Sequence, residues 1–360
     1  MKEICFIVNV DWFFLSHRLP LVRRLESTYD ISVIAGGTGV ETNYEINTFQ
    51  VKARIPTLKG IYQIYTKVKE LDDDAVIIVV SPVMIILSHF ILRSRRKVIY
   101  NFSGLGFLRS KPSLVRAIIL SCIRVFPISG SRYLVVQNSD DYRYLKRFFK
   151  SEKGFYLSLI SGSGYEENAN KIEVPNFTEV TLGYVGRIRK DKGVLDLLRA
   201  VSDLQCAGYK VNLCVWGELD DKSRHGFNAS ELEELNSYAE FLKGFSNNKY
   251  DIYRSFNWFC LPSNGEGLSK AAIEASSFGL PLVLSNVEGN RDMINGNGFL
   301  FEYGDVENLK EVLIDILNLP SIEVKELSRK SRQMFEAEWT MDAVYNKWNE
   351  NLSWYDSISS

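Results

Sequence analysis

The chain has 360 residues, of which 46% are apolar and 24% charged, and its formal net charge is −1. That length exceeds most single cores, so two domains are expected. The apolar and charged fractions are those of an ordinary globular protein, which excludes a disordered or fibrous chain. Five widely separated cysteines (Cys5, Cys122, Cys206, Cys214 and Cys260) have neither paired nor metal-type spacing, and buried free thiols in a reducing compartment are expected.

In chain order, Met1 leads straight into an apolar run at residues 4–8 without the layout of a secretory signal, and a cytoplasmic protein is expected. Strands are predicted at 4–9, 31–35, 75–80, 97–101 and 133–137, and helices at 17–26, 60–71, 83–92, 114–126 and 140–149. Residues 75–92 are eighteen nearly unbroken apolar positions, long enough to suggest a membrane span. Ser81 and Pro82 interrupt them, and the first six are strongly β-branched. They read as a buried parallel strand, a turn and an apolar helix.

Residues 161–178, rich in Gly, Asn and acids, read as a linker between an N-terminal domain at 1–160 and a C-terminal domain at 179–338. In the second half, strands are predicted at 182–186, 211–216, 239–242, 257–261 and 282–284. Helices are predicted at 193–206, 229–237, 249–256, 268–278, 306–317 and 323–338. A last helix, from about Met341 to Trp354 within 339–360, is assigned to neither domain. The strand–helix alternation predicts an α/β fold of two tandem Rossmann-like, doubly wound parallel sheets with a cleft between them. Ligands in such sheets bind beyond the carboxyl ends of the strands.

Charge is unevenly divided. Residues 1–178 hold 24 Lys and Arg against 16 Asp and Glu, and residues 179–360 hold 19 against 28. One face is therefore expected to meet something anionic, with nucleic acid and a membrane surface both open at this point. The apolar segment 108–132 carries Arg109, Lys111, Arg116, Arg124 and Arg132, which fits either a greasy basic face on anionic lipid or a core helix with solvated arginines.

Two stretches carry chemistry. Residues 263–275 run from a buried strand through a polar Gly-containing turn into a helix expected near Leu268, with Glu266 in the turn and Glu274 on the helix. The helix N-terminus offers free N–H groups and a partial positive charge, a seat for phosphate between two carboxylates that can grip hydroxyls. The second stretch begins at Gly186, where an apolar strand ends, and places Arg187, Arg189, Lys190 and Lys192 within six positions before Gly193. Arg supplies a rigid fork of donors and Lys a flexible point charge, a combination suited to a diphosphate. Taken alone, each stretch also fits a solvated surface loop; at the carboxyl ends of strands in one domain, they are expected to face one ligand.

Together these residues resemble the retaining glycosyltransferases of family 4, with their two-domain GT-B fold. The resemblance rests on Glu266 and Glu274 with seven residues between them, the Arg187–Lys192–Gly193 loop, and the stretches at 279–283, 289–292, 298–300 and 304–305. The N-terminal half is similar to the capsule and O-antigen subgroup through residues 14–20, 103–107, 137–141 and 161–164. The likeness runs from about residue 3 to about residue 350.

The resemblance implies that Arg187 and Lys192 neutralise the donor diphosphate, that Glu266 holds a donor-sugar hydroxyl and that Glu274 bridges the ribose hydroxyls. The backbone of Gly267, Leu268 and Ser269 would cradle phosphate oxygens, while turns at Gly217–Glu218 and at Lys243, Gly244 and Phe245 would flank the base, next to Gly186. The sequence departs from the family at three places: residues 9–14 lack a Gly-rich turn, Ser103 stands before Gly104 where many relatives carry His, and Lys270 follows Ser269. His17 becomes the acceptor-side candidate, with Asp11, Ser103 and Gly104 beside it; a helix-capping His17 is the alternative.

The expected activity is retaining transfer of a hexose or N-acetylhexosamine from a nucleotide sugar, UDP-linked, to an undecaprenyl-diphosphate-linked glycan in bacterial O-antigen or capsule assembly. The protein would work at the inner face of the cytoplasmic membrane, touching anionic lipid through its basic N-terminal domain and binding no nucleic acid. No cofactor or metal is expected: His17, His89 and His225 lack ligand spacing, and Asp72, Asp73 and Asp74 lie at the wrong end of the sheet. A nucleotide-sugar epimerase on the same fold, or a non-catalytic assembly scaffold, are the alternatives.

Overall fold

A computed structural model describes residues 1–36, 47–51, 57–80, 84, 85, 91, 92, 97–106, 114, 117, 120, 121, 132–150, 154–166, 179–220 and 223–359. The chain forms two compact units, one of residues 1–166 with 341–360 and one of residues 167–340.

The first unit is built on a parallel sheet of seven strands among the described residues: β1 (Lys2–Val8), β2 (Tyr29–Gly36), β3 (Asn47–Val51), β4 (Val76–Val80), β5 (Val98–Phe102), β6 (Arg132–Val136) and β7 (Phe155–Leu159). Their order is β3-β2-β1-β4-β5-β6-β7. The central strands β4 and β5 are buried at every position, as a sheet covered on both faces requires. Alternate residues feed two cores. One holds Phe6, Val8, Ile78, Ile99 and Val135 with Phe14, Leu21 and Val22 of the first helices, and the other holds Ile7, Val79, Tyr100 and Leu134 with Ile64 and Leu145.

Several expectations shift here. Residues 9–14 are not an open loop, and the first helix does not begin at His17. Helices span Asp11–His17 and Leu19–Leu25. Asp11 sits in the first turn, where a carboxylate favours the helix N-terminus, and buried Phe14, Leu21, Val22 and Leu25 continue one apolar stripe across the joint. Strands β3 and β7 were not foreseen. The expected helices at 83–92 and 114–126, and the basic segment 108–132, fall largely outside the described residues. The closing helix spans Met341–Ser359 and belongs to the first unit. Its Met341, Val344, Trp348, Leu352 and Tyr355 enter the core beside Leu21 and Val22, and Tyr355 Oη accepts the backbone N–H of Val98 at 3.0 Å.

The second unit has six parallel strands: β8 (Val180–Val185), β9 (Val211–Trp216), β10 (Leu242–Gly244), β11 (Trp258–Leu261), β12 (Leu282–Ser285) and β13 (Gly298–Phe301), ordered β10-β9-β8-β11-β12-β13. β10 is shorter and later than the strand expected at 239–242, because residues 239–241 form a 3₁₀ turn. The helix expected at 323–338 spans Ser321–Met334 and ends in a π-helical turn, Phe335–Trp339. Strand order reverses between β8 and β11, which lie side by side. The connections leaving their carboxyl ends therefore start next to each other, at the point where doubly wound sheets bind ligands.

Candidate active site

Those two connections are residues 186–193 after β8 and 262–269 after β11. They meet through backbone: Asn264 N donates to Asp191 O at 2.8 Å. Gly193 has φ 66°, and a Cβ there would lie 2.0 Å from the carbonyl oxygen of Pro262, so only glycine allows the loops to touch. Tyr184, buried on β8, donates its hydroxyl to the carbonyl of Arg187 at 2.7 Å and so holds the bend of the cationic loop. Burial, with Glu266 and Asp191 nearby, raises its phenol far above the usual range, which keeps it a proton donor.

The cations of the loop are not equivalent. Lys192 Nζ lies 2.6 Å from Glu266 Oε1. Arg187 reaches Asp220 at only 3.5 Å and keeps half of its side chain exposed. Arg189 is paired with Asp191 at 2.7 Å, and Lys190 with Glu231 at 2.7 Å, which turns both toward the protein. The structure thus brings Lys192 directly onto the Glu266 turn and leaves Arg187 beside it.

The Glu266 turn is backed by a further loop. Glu266 N donates to Glu288 O at 3.1 Å. Gly289, at φ 79°, approaches so closely that a Cβ would come within 2.5 Å of Glu266 O. Beneath them, buried Ser285 donates to Ser263 O at 2.5 Å and accepts from Asn290 Nδ2 at 3.0 Å. This polar layer was not foreseen, and a serine in a strand gives no local sign of it.

The helix begins at Lys270 rather than Leu268, because the Ser269 hydroxyl caps it by accepting from Ala272 N at 3.3 Å. Gly267 and Leu268 remain half-buried in the turn before the cap. Lys270 is half-buried; burial lowers its pKa against the opposing pull of Glu274, with Lys249 adding to the lowering. Glu274 lies one turn into the helix and is 1% exposed. Its Oε2 accepts from Lys249 Nζ at 2.6 Å and from Tyr253 Oη at 2.7 Å, whereas its Oε1 has no hydrogen-bond partner. Lys249 and Tyr253 were missed in the sequence. Their four-residue spacing on the short helix Lys249–Arg254, which puts both on one face, was the available signal.

A cavity of about 230 Å³ opens beside these groups, lined by Gly186, Arg187, Trp216, Gly217, Glu218, Phe245, Ser246, Lys249 and Ile252. It joins the turn at Gly217–Glu218, the Phe245 turn and the Lys249 end of the Glu274 pair. Gly217 packs against the carbonyl of Gly186, where a Cβ would lie 1.8 Å away. Phe245 is 62% exposed at the rim. Lys243 is not among the lining residues: its Nζ turns to the Glu240 carbonyl at 3.1 Å, while Gly244 O accepts from Gly217 N at 2.8 Å.

The acceptor-side candidates lie in the first unit. His17 occupies the last turn of Asp11–His17, half-buried, with Nδ1 2.5 Å from Ser16 Oγ and its ring stacked on Phe13. Asp11 is buried, and its Oδ1 accepts the N–H of Trp12 at 2.7 Å. Ser103 and Gly104 follow β5, and the next N–H, of Leu105, is held by buried Asp141 at 2.9 Å. Among the described residues no group of three His, Cys, Asp or Glu side chains could hold a metal ion.

Comparison with known proteins matches residues 3–138 to the family "Glycosyl transferase 4-like" and residues 166–334 to "Glycosyl transferases group 1". The chain is 29% identical to the capsular polysaccharide biosynthesis glycosyltransferase CapM of Staphylococcus aureus over 58% of its own length and 54% of that protein's. It therefore spans about half the length of that relative. A shorter match, 35% identical over 21% of the chain and 20% of the relative, is to the UDP-Gal:alpha-D-GlcNAc-diphosphoundecaprenol alpha-1,3-galactosyltransferase of Escherichia coli. Among solved structures, Anabaena Alr3699/HepE in complex with UDP-glucose superposes with a TM-score of 0.72 at 14% identity, over 98% of this chain and 100% of that one.

Proposed function

The chain belongs to the GT-B glycosyltransferases of family 4 type, and from that premise we propose that it moves a hexose or N-acetylhexosamine from a UDP-sugar onto a lipid-linked glycan in bacterial surface-polysaccharide assembly. The observation that carries this reading is the meeting of the Lys192 and Glu266 loops at the strand-order reversal, beside a cavity lined by Lys249, whose Nζ donates to Glu274.

In this reading the uracil enters the cavity against Phe245 and the Gly217 backbone. Glu274, fixed by Lys249 and Tyr253, accepts from the ribose hydroxyls through the oxygen that has no protein partner. The diphosphate lies between Arg187, Lys192 and the N–H groups at the start of Lys270–Ser277. Charge on the departing diphosphate grows in the transition state, so fixed cations and oriented N–H groups stabilise that state more than the ground state. Glu266 grips a hydroxyl of the transferred sugar, and its bond to Lys192 couples sugar position to diphosphate position. Transfer is proposed to retain the anomeric configuration, with the leaving oxygen taking the acceptor proton on the same face. Arg187 and Lys192 supply the positive charge, so no metal is required.

The relatives, a capsular polysaccharide biosynthesis transferase and a diphosphoundecaprenol galactosyltransferase, support a lipid-linked acceptor, and the UDP-glucose complex of a fold relative supports the donor class. The net positive charge of residues 1–178 supports contact of the first unit with an anionic membrane surface at the inner face of the cytoplasmic membrane. No described helix is long and apolar enough to cross a membrane. Incubation with a panel of UDP- and GDP-sugars tests the proposal. Nucleotide release that depends on a lipid-linked acceptor is the expected result. Sugar isomerisation without acceptor would make the protein an epimerase, and no turnover with any donor would point to a scaffold.

A further inference from the structure

Arg18 joins the helices Asp11–His17 and Leu19–Leu25, its N–H donating to Phe14 O at 2.8 Å and its carbonyl accepting from Val22 N at 2.9 Å. The side chain turns inward and the residue is 1% exposed, an unusual fate for an arginine. With the Gln137 carboxamide oriented so that both of its ends are satisfied, its Oε1 accepts from Arg18 Nη2 at 3.1 Å and its Nε2 donates to the carbonyl of Ser103 at 3.2 Å. Arg18 Nε and Nη1 have no hydrogen-bond partner. Burial lowers the guanidinium pKa, to about 10.

The surroundings repeat the pattern. Asn101 and Ser103 continue the alternation of Ile99 along β5, and Gln137 that of Val135 along β6, so all three lie on the sheet face that the first helices cover. Asn101 is 1% exposed with neither carboxamide atom partnered, and Ser103 Oγ is buried without a partner. The segment from Ala75 to Ser139, which supplies β4, β5 and β6, contains nine Lys and Arg and no Asp or Glu. A desolvated cation, a carboxamide and a hydroxyl with unused hydrogen-bonding capacity thus converge at the carboxyl end of the sheet. The half-buried Ser103 and Gly104 form the nearest surface.

We propose that Arg18, Asn101 and Ser103 form an oxyanion site that takes a phosphoryl group. Resting on the transferase reading above, that group is the diphosphate of the lipid-linked acceptor, bound at the opposite end of the reaction from the donor diphosphate. The anion supplies a counter-charge for Arg18, and the two polar side chains donate to its remaining oxygens. The site would select acceptors by their diphosphate and leave the glycan to other contacts.

The test uses the full chain saturated with UDP, so that Arg187 and Lys192 are occupied, titrated calorimetrically with inorganic pyrophosphate and separately with a short-chain polyprenyl diphosphate. Wild type is expected to bind both, and Arg18→Met to bind each at least tenfold more weakly while binding UDP as before. Methionine fills similar space without a charge, so the variant should melt no lower than wild type. Ser103→Ala, which keeps the cation, should weaken both ligands by a smaller factor. Equal pyrophosphate binding by wild type and Arg18→Met overturns the site, as does a lower melting temperature with unchanged binding, which would make Arg18 a packing strut. Pyrophosphate bound but polyprenyl diphosphate refused overturns the acceptor assignment and keeps the oxyanion site. Failure of wild type to bind UDP counts against the transferase reading instead, and pyrophosphate binding lost in Arg18→Met without UDP would still support the site.

Discussion

Lys192 and Glu266, 74 residues apart in the chain, form a 2.6 Å ion pair that ties the loop after β8 to the loop after β11. Each side chain keeps between 15% and 19% of its surface exposed, so the pair is accessible from solvent and worth only about 1 kcal/mol to stability. Its significance is positional: the group proposed to hold the sugar and a group proposed to hold the diphosphate cannot move independently.

Glu266→Ala should therefore leave the melting temperature within a few degrees of wild type and lower kcat by about 10²–10³-fold, the scale of one lost transition-state contact. Lys192→Met should do the same. The double variant should lose much less than the product of the two, because each single change already breaks the pair. Full activity of Glu266→Ala with the cognate donor would sink the assignment of the site.

Glu274 separates two chemistries by substitution. Glu274→Ala removes the carboxylate that Lys249 Nζ and Tyr253 Oη share, leaving Tyr253 Oη the carbonyl of Ala271 at 3.1 Å, and a stability loss of about 1–3 kcal/mol is expected. Glu274→Gln keeps an oxygen toward Tyr253 and should retain most of the stability. Both should raise KM for the donor, so a stable Gln variant with wild-type KM would show that the carboxylate serves the fold alone.

Phe245 stands 62% exposed at the cavity rim, and its removal should cost no more than about 0.5 kcal/mol of stability. If it covers the base, Phe245→Ala weakens UDP binding by about 1–3 kcal/mol, the range of base–aromatic stacking. Calorimetry with UDP and uridine should then show the same loss for both ligands, since the phosphates do not touch the ring.

Gly193→Ala would place a methyl group 2.0 Å from Pro262 O in a left-handed backbone conformation. The two loops must separate, and a loss of about 1–3 kcal/mol with a fall in activity is expected. Gly208→Ala is the control: its φ is 90°, but no atom lies within 4 Å of the added carbon, and it should lower stability while leaving kcat unchanged.

Turnover should persist in excess EDTA, because the charge on the leaving diphosphate is assigned to Arg187 and Lys192. An assay in which chelator abolishes transfer and a divalent cation restores it would overturn that assignment.

What was legible in the sequence depended on whether the deciding contacts were local. β4 and β11 read as strands because both of their faces are buried and every residue is therefore apolar or compact. β3 and β7 close the edges of their sheet, and β7 is apolar at every position but Ser158 while partly exposed along its length, so no alternation marks its two faces. The Arg187–Lys192 and Glu266–Glu274 groups stood out because each lies within a few residues at a strand end. Lys249 and Tyr253 did not, since they meet Glu274 across 25 and 21 residues, a distance set by tertiary packing. The helix Asp11–His17 was obscured by Trp12, a large apolar side chain that the fold leaves 46% exposed, next to Phe13, which packs against the core.

The helix Met341–Ser359 makes the first unit the last to be completed during synthesis. Residues 1–166 leave the ribosome first, yet the core beside Leu21 and Val22 lacks Val344, Trp348, Leu352 and Tyr355 until the segment after residue 340 emerges. The second unit, continuous from 167 to 340, has all its strands by then, so the usual N-terminal-first order of folding is reversed in this chain. A nascent chain stalled before residue 341 would carry a finished second unit and an open first one. Its exposed apolar groove at Leu21 and Val22 would be a ready target for chaperones or for the closing helix of another copy.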